Sequence, residues 1–226
     1  METIAISSRP SAVSDHVWYA AYGSNMNPDR LRCYLLGGAP DGGTNTPAGH
    51  GPGPPPGCRD GTTPLRSIPL ALPGLLYFAT ESAVWTGGRA FYDPDVPATT
   101  WVRAYLLTLA QFSDIAAQEM YRHPGTDLDP AEAIRTGRSR LGPGRYETLV
   151  CPAICDGLPV LTFTAPWRWR DLPGNAPAPA YLRHIATGLL DTHHWSVPET
   201  AGHLATRPGA DRRWTPNTVT DLLRDH

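Results

Sequence analysis

Val17-Trp18-Tyr19-Ala20-Ala21-Tyr22-Gly23-Ser24-Asn25-Met26-Asn27-Pro28 joins three local preferences in one short run. Val17 to Tyr22 is aromatic and apolar without alternation, the pattern of a strand buried on both faces. Gly23-Ser24-Asn25 breaks it. Asn27 followed by Pro28 then predicts a helix, because Asn caps free N–H groups and Pro is preorganised for the first helical position. Gly23 and Asn25 tolerate unusual backbone angles, so the chain can turn sharply here and gather several N–H groups into one concavity beside a helix N-terminus. Such a cradle suits a carboxylate or a developing oxyanion. The same residues also make an ordinary strand-to-helix connection, in which Gly23 turns and Ser24 or Asn25 caps.

Leu31, Tyr34 and Leu35 continue the helix at helical spacing, and Gly37-Gly38 can end it. From about residue 37 to 64 the chain is rich in Gly, Pro and Thr and supports neither a regular helix nor a central strand; it reads as a lid or as disorder. Strand-like runs resume at Ile68–Leu72, Gly74–Thr80, Gly88–Tyr92 and Trp101–Thr108, separated by turn residues that favour antiparallel pairing. Tyr146–Ala153 and Pro159–Ala165 form two more, joined as a hairpin by Asp156-Gly157. Helices are expected at Pro179–His193, Val197–Ala205 and Pro216–Arg224, with Ser196 and Glu199 as a capping box and Thr215-Pro216 as a cap followed by proline. The organisation implied is a loose N-terminus (1–15), one mixed α/β domain (16–195) with its Gly/Pro-rich insertion, and a helical C-terminal extension (196–226).

A further helix is predicted from Thr108 to Tyr121, opened by Thr108 and Gln111 as a capping box. Phe112, Ile115, Ala116 and Glu119 fall on one face of it, which puts a carboxylate among core-facing residues. Burial raises a carboxyl pKa, as suits a proton acceptor working near neutral pH. Glu119 is thus the candidate acid/base. The alternative is a glutamate at the edge of that face, paired with Arg122.

Composition excludes several classes. Of 226 residues, 19 are Lys or Arg and 21 Asp or Glu, a formal net charge of −2, so there is no electrostatic footprint for nucleic acid or an anionic membrane. Hydrophobic content of 41% supports a normal core. No apolar run reaches membrane-spanning length, and Met1–Ile6 lacks a secretory pattern, so a cytoplasmic location is expected. Cys33, Cys58, Cys151 and Cys155 make no Cys-x-x-Cys and read as packing thiols. His193-His194 and His203 form no zinc motif, and no metal is expected. Ser24 lacks a nucleophile elbow. Gly37-Gly38 and Gly142-Pro143-Gly144-Arg145 are turns, not phosphate loops. The alternation of Trp167, Arg168, Trp169 and Arg170 suits either a ligand-facing surface or an edge strand or loop with one solvated face.

Trp18 to Met26 resembles the Tyr-Gly-Ser-Asn signature that opens the γ-glutamylcyclotransferase-like superfamily. Ala117-Gln118-Glu119 resembles the stretch that carries its catalytic glutamate, with Met120 in place of the usual glycine. Gly87-Gly88 before a strand, Arg145-Tyr146, and Asn175 to Tyr181 are similar to later family motifs, although the serine expected before Tyr181 is missing. The resemblance implies a small, largely antiparallel, barrel-like sheet surrounded by helices. It further implies a pocket using Tyr22, Gly23, Ser24, Asn25, Gly87, Gly88, Tyr146 and Tyr181 for substrate, with Glu119 as the catalytic residue. The activity implied is release of 5-oxoproline and a free amine from a γ-glutamyl amide, with no cofactor, no metal, a small-molecule substrate as partner, and a monomer or homodimer. A related acyl-transfer or amide-cleaving enzyme of specialised metabolism, and a noncatalytic small-molecule-binding domain, are the alternatives.

Overall fold

The computed structural model describes residues 14–39 and 54–224. Eight strands and six helices follow one another as β1 (His16–Ala21), α1 (Pro28–Leu36), β2 (Arg66–Pro73), β3 (Leu75–Ala79), β4 (Arg89–Asp93), β5 (Thr99–Thr108), α2 (Leu109–Glu119), α3 (Ala131–Thr136), β6 (Arg138–Arg140), β7 (Thr148–Cys155), β8 (Leu158–Thr164), α4 (Pro179–His193), α5 (Val197–Ala205) and α6 (Pro216–Arg224) among the described residues. A 3-10 turn, Ser24–Met26, sits between β1 and α1.

Six strands form one sheet in the order β2-β5-β1-β8-β7-β6, and β3-β4 pair as a separate hairpin. All pairings are antiparallel except β1 with β8. The sheet curls strongly. β2 and β7 stand four places apart in hydrogen-bonding order, which would separate them by roughly 19 Å in a flat sheet, yet they approach each other, and Arg66 of β2 bonds to Asp156 in the β7–β8 turn at 3.2 Å. Thr164 at the end of β8 accepts from the Tyr92 N–H at 3.0 Å and donates to the Tyr92 carbonyl at 2.7 Å, fastening the β3-β4 hairpin to the curl. The mixed α/β, barrel-like fold expected from the sequence is the one observed.

β1 lies at the centre, and Val17 to Ala21 are all buried, which explains its unbroken apolar run. Trp18, Leu107, Phe112 and Leu149 are among the fully buried side chains. Burial of Leu107 or Phe112 contributes about 1.5–3 kcal/mol each. Caps form where the sequence places them. The Asn27 side chain accepts from the Asp29 and Arg30 N–H groups, and both capping boxes, Thr108 with Gln111 and Ser196 with Glu199, are complete. The hairpin turn puts Asp156 and Gly157 both at positive φ.

The Gly/Pro-rich insertion divides. Residues 40–53 lie outside the described residues, as do residues 1–13 of the N-terminal segment. From Pro54 onward the chain is irregular and strapped to the helices: Gly38 N–H bonds to Pro55 O and Cys58 N–H to Leu35 O, both at 3.0 Å, and Arg59 meets Asp114 of α2 at 2.9 Å. Residues 54–64 do not line the recess described below. The Trp167–Arg170 stretch is a turn, not an edge strand. Trp167 packs on Phe91 with ring centroids 5.7 Å apart, while Arg168 pairs with Asp95 at 2.7 Å. α5 and α6 contribute Leu204 and Val219 to the same core as the sheet. No helix among the described residues is long and apolar enough to cross a membrane.

Candidate active site

A recess with about 660 Å³ of empty space, its mouth included, opens between β1, the loop after it, α1, α2 and the start of α4. Tyr22, Gly23, Ser24, Asn25, Glu119, Tyr146 and Tyr181 all line it, so residues spread over 160 positions of sequence are brought together.

The loop is built differently from its sequence expectation. Gly23 has φ −102°, and Asn25 is not at positive φ, so no left-handed conformation makes the turn. The 3-10 turn makes it, with Met26 N–H bonding to Gly23 O and Asn27 N–H to Ser24 O, both at 3.0 Å. The space at 23 is tight on one side: a Cβ there would lie 3.2 Å from the Tyr181 hydroxyl, which would have to give by a few tenths of an ångström, and in ordinary contact with the Ala90 Cβ at 3.6 Å. The turn is held from behind by the Tyr105 hydroxyl, which donates to Asn25 O at 3.0 Å. Asn25 Nδ2 donates to the Tyr19 hydroxyl at 3.1 Å, leaving Asn25 Oδ1 buried without a partner.

Glu119, last residue of α2, reaches the recess from the opposite side and accepts a hydrogen bond from the Tyr34 hydroxyl. Arg30 Nη2 donates to the same hydroxyl at 3.1 Å, and the Arg30 guanidinium lies 4.4 Å over the Tyr34 ring. A relay Arg30–Tyr34–Glu119 therefore fixes the carboxylate. Arg122 does not pair with Glu119; it is bound to Glu147. Burial, together with the negative charge of Glu119, raises the Tyr34 phenol far above its ordinary range, although Arg30 opposes this. Tyr181, whose oxygen accepts from Ala90 N–H at 3.2 Å, is pushed up to about 12 chiefly by burial. Burial likewise raises Tyr19, Tyr22 and Tyr146, so the recess is walled by neutral phenols. Two of them spend their protons on backbone: Tyr22 donates to Phe163 O at 2.8 Å, and Tyr146 to Ala90 O at 3.0 Å.

Gly87 and Gly88 depart from expectation, for neither lines the recess. They are packing positions, where a Cβ on Gly87 would meet Ala178 N at 2.6 Å and one on Gly88 would meet Asn175 O at 2.0 Å. The residues that do line that wall are Ser82, Trp85, Arg89 and Ala90.

Sequence reasoning did not single out Tyr19, Arg30, Arg89 or Arg145 for the site, yet all four line it. Three guanidinium groups against the single Glu119 carboxylate make the lining net positive. Arg30 is 5% exposed, and its Nε and Nη1 are buried without a hydrogen-bond partner. A signal for it was available: Arg30 and Tyr34 stand four apart on α1, on the face that also carries Leu31 and Leu35. Among the described residues no three His, Cys, Asp or Glu side chains are grouped so as to hold a metal ion. All four cysteines are free, and burial pushes the Cys58 thiol up to about 12.

No family model matches the chain. Histone deacetylase 5 of Arabidopsis thaliana is 28% identical over 222 aligned residues, covering 90% of this chain and 32% of that protein, so the chain spans about a third of the relative's length. A solved γ-glutamyl cyclotransferase superposes with a TM-score of 0.50 at 12% identity, over 93% of this chain and 99% of that one. An uncharacterized protein from Homo sapiens gives a TM-score of 0.48 at 12% identity, over 94% and 100%. The chain has the γ-glutamyl cyclotransferase fold.

Proposed function

We propose that the recess binds a γ-glutamyl amide and converts it to 5-oxoproline and a free amine. The observation that carries this reading is the Glu119 carboxylate, oriented by Tyr34 and lining one recess together with the Gly23–Asn25 loop. The substrate's α-amine is placed between Glu119 and the unpartnered Asn25 Oδ1, two acceptors for its protons. Its carboxylate meets the free N–H groups of Arg30, and the γ-carbonyl is polarised by the loop. Glu119 takes a proton as the amine nitrogen attacks the γ-carbonyl, forming the ring C–N bond. The same proton then goes to the departing nitrogen as the original amide C–N bond breaks. Atoms and charge balance within substrate and Glu119.

Holding amine and carbonyl at attack distance is the main source of acceleration, with proton transfer adding about 10²–10⁴-fold. Glu119→Gln keeps the shape and removes the base, so kcat for 5-oxoproline release is expected to fall by about that factor while KM changes little. Undiminished turnover by the variant rejects Glu119 as the base.

The plant relative supplies a second reading, since its name denotes removal of an acetyl group from histone. Carried to this site, water would attack an amide in place of the internal amine. Assaying both 5-oxoproline from γ-glutamyl amides and acetate from an acetyl-lysine peptide separates the two. Binding of γ-glutamyl compounds without any turnover would instead support a noncatalytic binding domain.

A further inference from the structure

A second cavity lies apart from the recess and shares no residue with it. Three segments distant in sequence wall it: β3 at Tyr77 and Phe78, the turn after β8 at 169–174, and the connection between α5 and α6 within 208–212. Backbone contact fastens them together. The Phe78 N–H bonds to Pro208 O at 2.8 Å, and the Asn175 N–H to Phe78 O at 3.0 Å. A Cβ on Gly174 would lie 2.8 Å from Gly209 Cα, and one on Gly209 would lie 2.1 Å from Phe78 O, so neither position has room for a side chain. About 960 Å³ of empty space, its mouth included, opens at this junction.

Four charged side chains line the cavity, and they are used unequally. Asp171 accepts from the Arg168 N–H at 2.7 Å and Asp211 from the Gly209 N–H at 3.0 Å, so each carboxylate closes its own turn. Arg170 and Arg212 are exposed, and among the described residues neither makes an ion pair, even with the aspartate beside it in sequence. Arg168 supplies the contrast, for it pairs with Asp95 at 2.7 Å. The Arg170 guanidinium lies 4.7 Å from the Trp169 ring centroid, a contact that holds its plane without consuming its N–H donors. Arg212 Nε comes within 3.3 Å of where a Cβ on Gly174 would stand, which puts its guanidinium at the junction of the segments. Beside these donors the walls are apolar, made by Tyr77, Leu172, Pro173 and Pro208.

A guanidinium offers a planar set of donors that matches a carboxylate or a phosphate, and a preformed apolar wall next to it suits the hydrocarbon part of the same molecule. We infer that this cavity is a second ligand site, for a small organic oxyanion whose acidic head is bound by Arg170 and Arg212 and whose apolar body lies along Tyr77, Leu172, Pro173 and Pro208. The assignment is independent of the γ-glutamyl reading, since neither arginine lines the recess.

Benzoate, phenyl phosphate and benzamide test it. The first two carry an oxyanion on a ring, and the third keeps the shape of benzoate without its charge. Affinities are read from chemical shifts of the wild-type protein, with the Gly174 and Gly209 amides and the Trp169 indole reporting on the cavity. At least one anion is expected to shift these signals and to bind about tenfold tighter than benzamide, the worth of a hydrogen bond to a charged group. The tighter of the two anions identifies carboxylate or phosphate as the preferred head. Arg170→Gln and Arg212→Gln should each weaken that anion by about threefold to tenfold, the lower figure allowing for screening of exposed charges. The double variant should bring it within about twofold of benzamide. The Gly23 amide in the same spectra reports whether each variant keeps the wild-type fold at the recess. Anions that bind no tighter than benzamide, shifts confined to recess signals, or an anion preference that survives the double variant overturn the assignment.

Discussion

Tyr34 joins two charges through one hydroxyl, accepting from Arg30 and donating to Glu119. Its proton stays on the phenol because burial and the neighbouring carboxylate both disfavour the phenolate. Tyr34→Phe keeps the ring under the Arg30 guanidinium and deletes the bond to Glu119. A hydrogen bond to a charged group is worth about 1.5–3 kcal/mol, so kcat is expected to drop by about 10–150-fold with KM little changed, measured as 5-oxoproline release. An equal loss through KM alone would assign the tyrosine to substrate binding. Glu119 was legible in the sequence because three buried neighbours share its helix face. Tyr34 was legible only as an apolar position of α1, since its acceptor lies 85 residues away. Gly23 was found as a flexible turn residue, yet it has an ordinary negative φ and instead lies close to the Tyr181 hydroxyl, a contact that no local pattern encodes. Gly87 and Gly88 illustrate the converse, for the same absence of a side chain serves backbone packing against residues 175–178 and not a ligand.

α4 carries the pocket loop on its back. A Cβ on Gly188 would lie 2.4 Å from the Met26 Cβ and 2.8 Å from the Met26 carbonyl carbon, so helix and 3-10 turn are in backbone contact. Gly188→Ala should push the turn toward the recess, costing about 1–3 kcal/mol of stability by overpacking and lowering kcat/KM through displacement of Gly23–Asn25. Thermal unfolding alongside a turnover assay checks this, and an unchanged kcat/KM would show that the turn is not what positions substrate. On the other side of the site, Asp114 of α2 is fully buried and accepts from Arg59 N–H at 2.8 Å and Gly125 N–H at 3.3 Å besides the Arg59 guanidinium. It thereby binds the end of the Gly/Pro-rich segment and the loop after α2 to one carboxylate. Asp114→Ala leaves those N–H groups unsatisfied and is expected to lower the unfolding free energy by about 2–3 kcal/mol, read as a shift of denaturant midpoint at unchanged slope. Elements with their own punctuation were legible: both capping boxes, the Asn27-Pro28 start and the Asp156-Gly157 turn stand where local chemistry puts them. α3 and β6 were not. α3 has six residues and no side-chain cap, and β6 has three residues and exists through its pairing with β7; both depend on tertiary contacts that leave no periodic trace.

Across the whole molecule, the pairing that joins the two halves of the sheet is the parallel one between β1 and β8, which sets Trp18 beside Val160 and has no local signature. β5 and the C-terminal helices are joined where Trp101 of β5, His193 of α4, Trp195 between α4 and α5, and His203 of α5 make a continuous set of ring contacts at 5.1–5.7 Å. None of these four residues lines the recess, so titration of the two histidines reports stability and not the site. Burial, then Arg207 and His193, lowers the His203 pKa from 6.5 to about 4, and His193 is lowered mainly by burial with Arg103 and His194 adding to it, while its bond to Val102 O opposes the shift. A histidine kept neutral in the fold binds its proton more readily once unfolded. Its contribution is therefore complete above about pH 6.5 and lost as pH falls toward about 4. Asp60 and Glu199, held below their ordinary values of 3.8 and 4.5 by bonds with Thr62 and Ser196, begin to lose their contributions as pH falls through those values, so the part of the histidine window above about pH 4.5 is the one to measure. Unfolding free energy measured by denaturant titration should fall between pH 6.5 and 4.5 with a slope of up to about 1.4 kcal/mol per pH unit for each histidine. His203→Gln should remove most of the His203 share while the pH dependence of binding in the recess is retained. A slope that is unchanged in the variant would mean that His203 is not the group whose protonation opens the α4–α5–β5 junction.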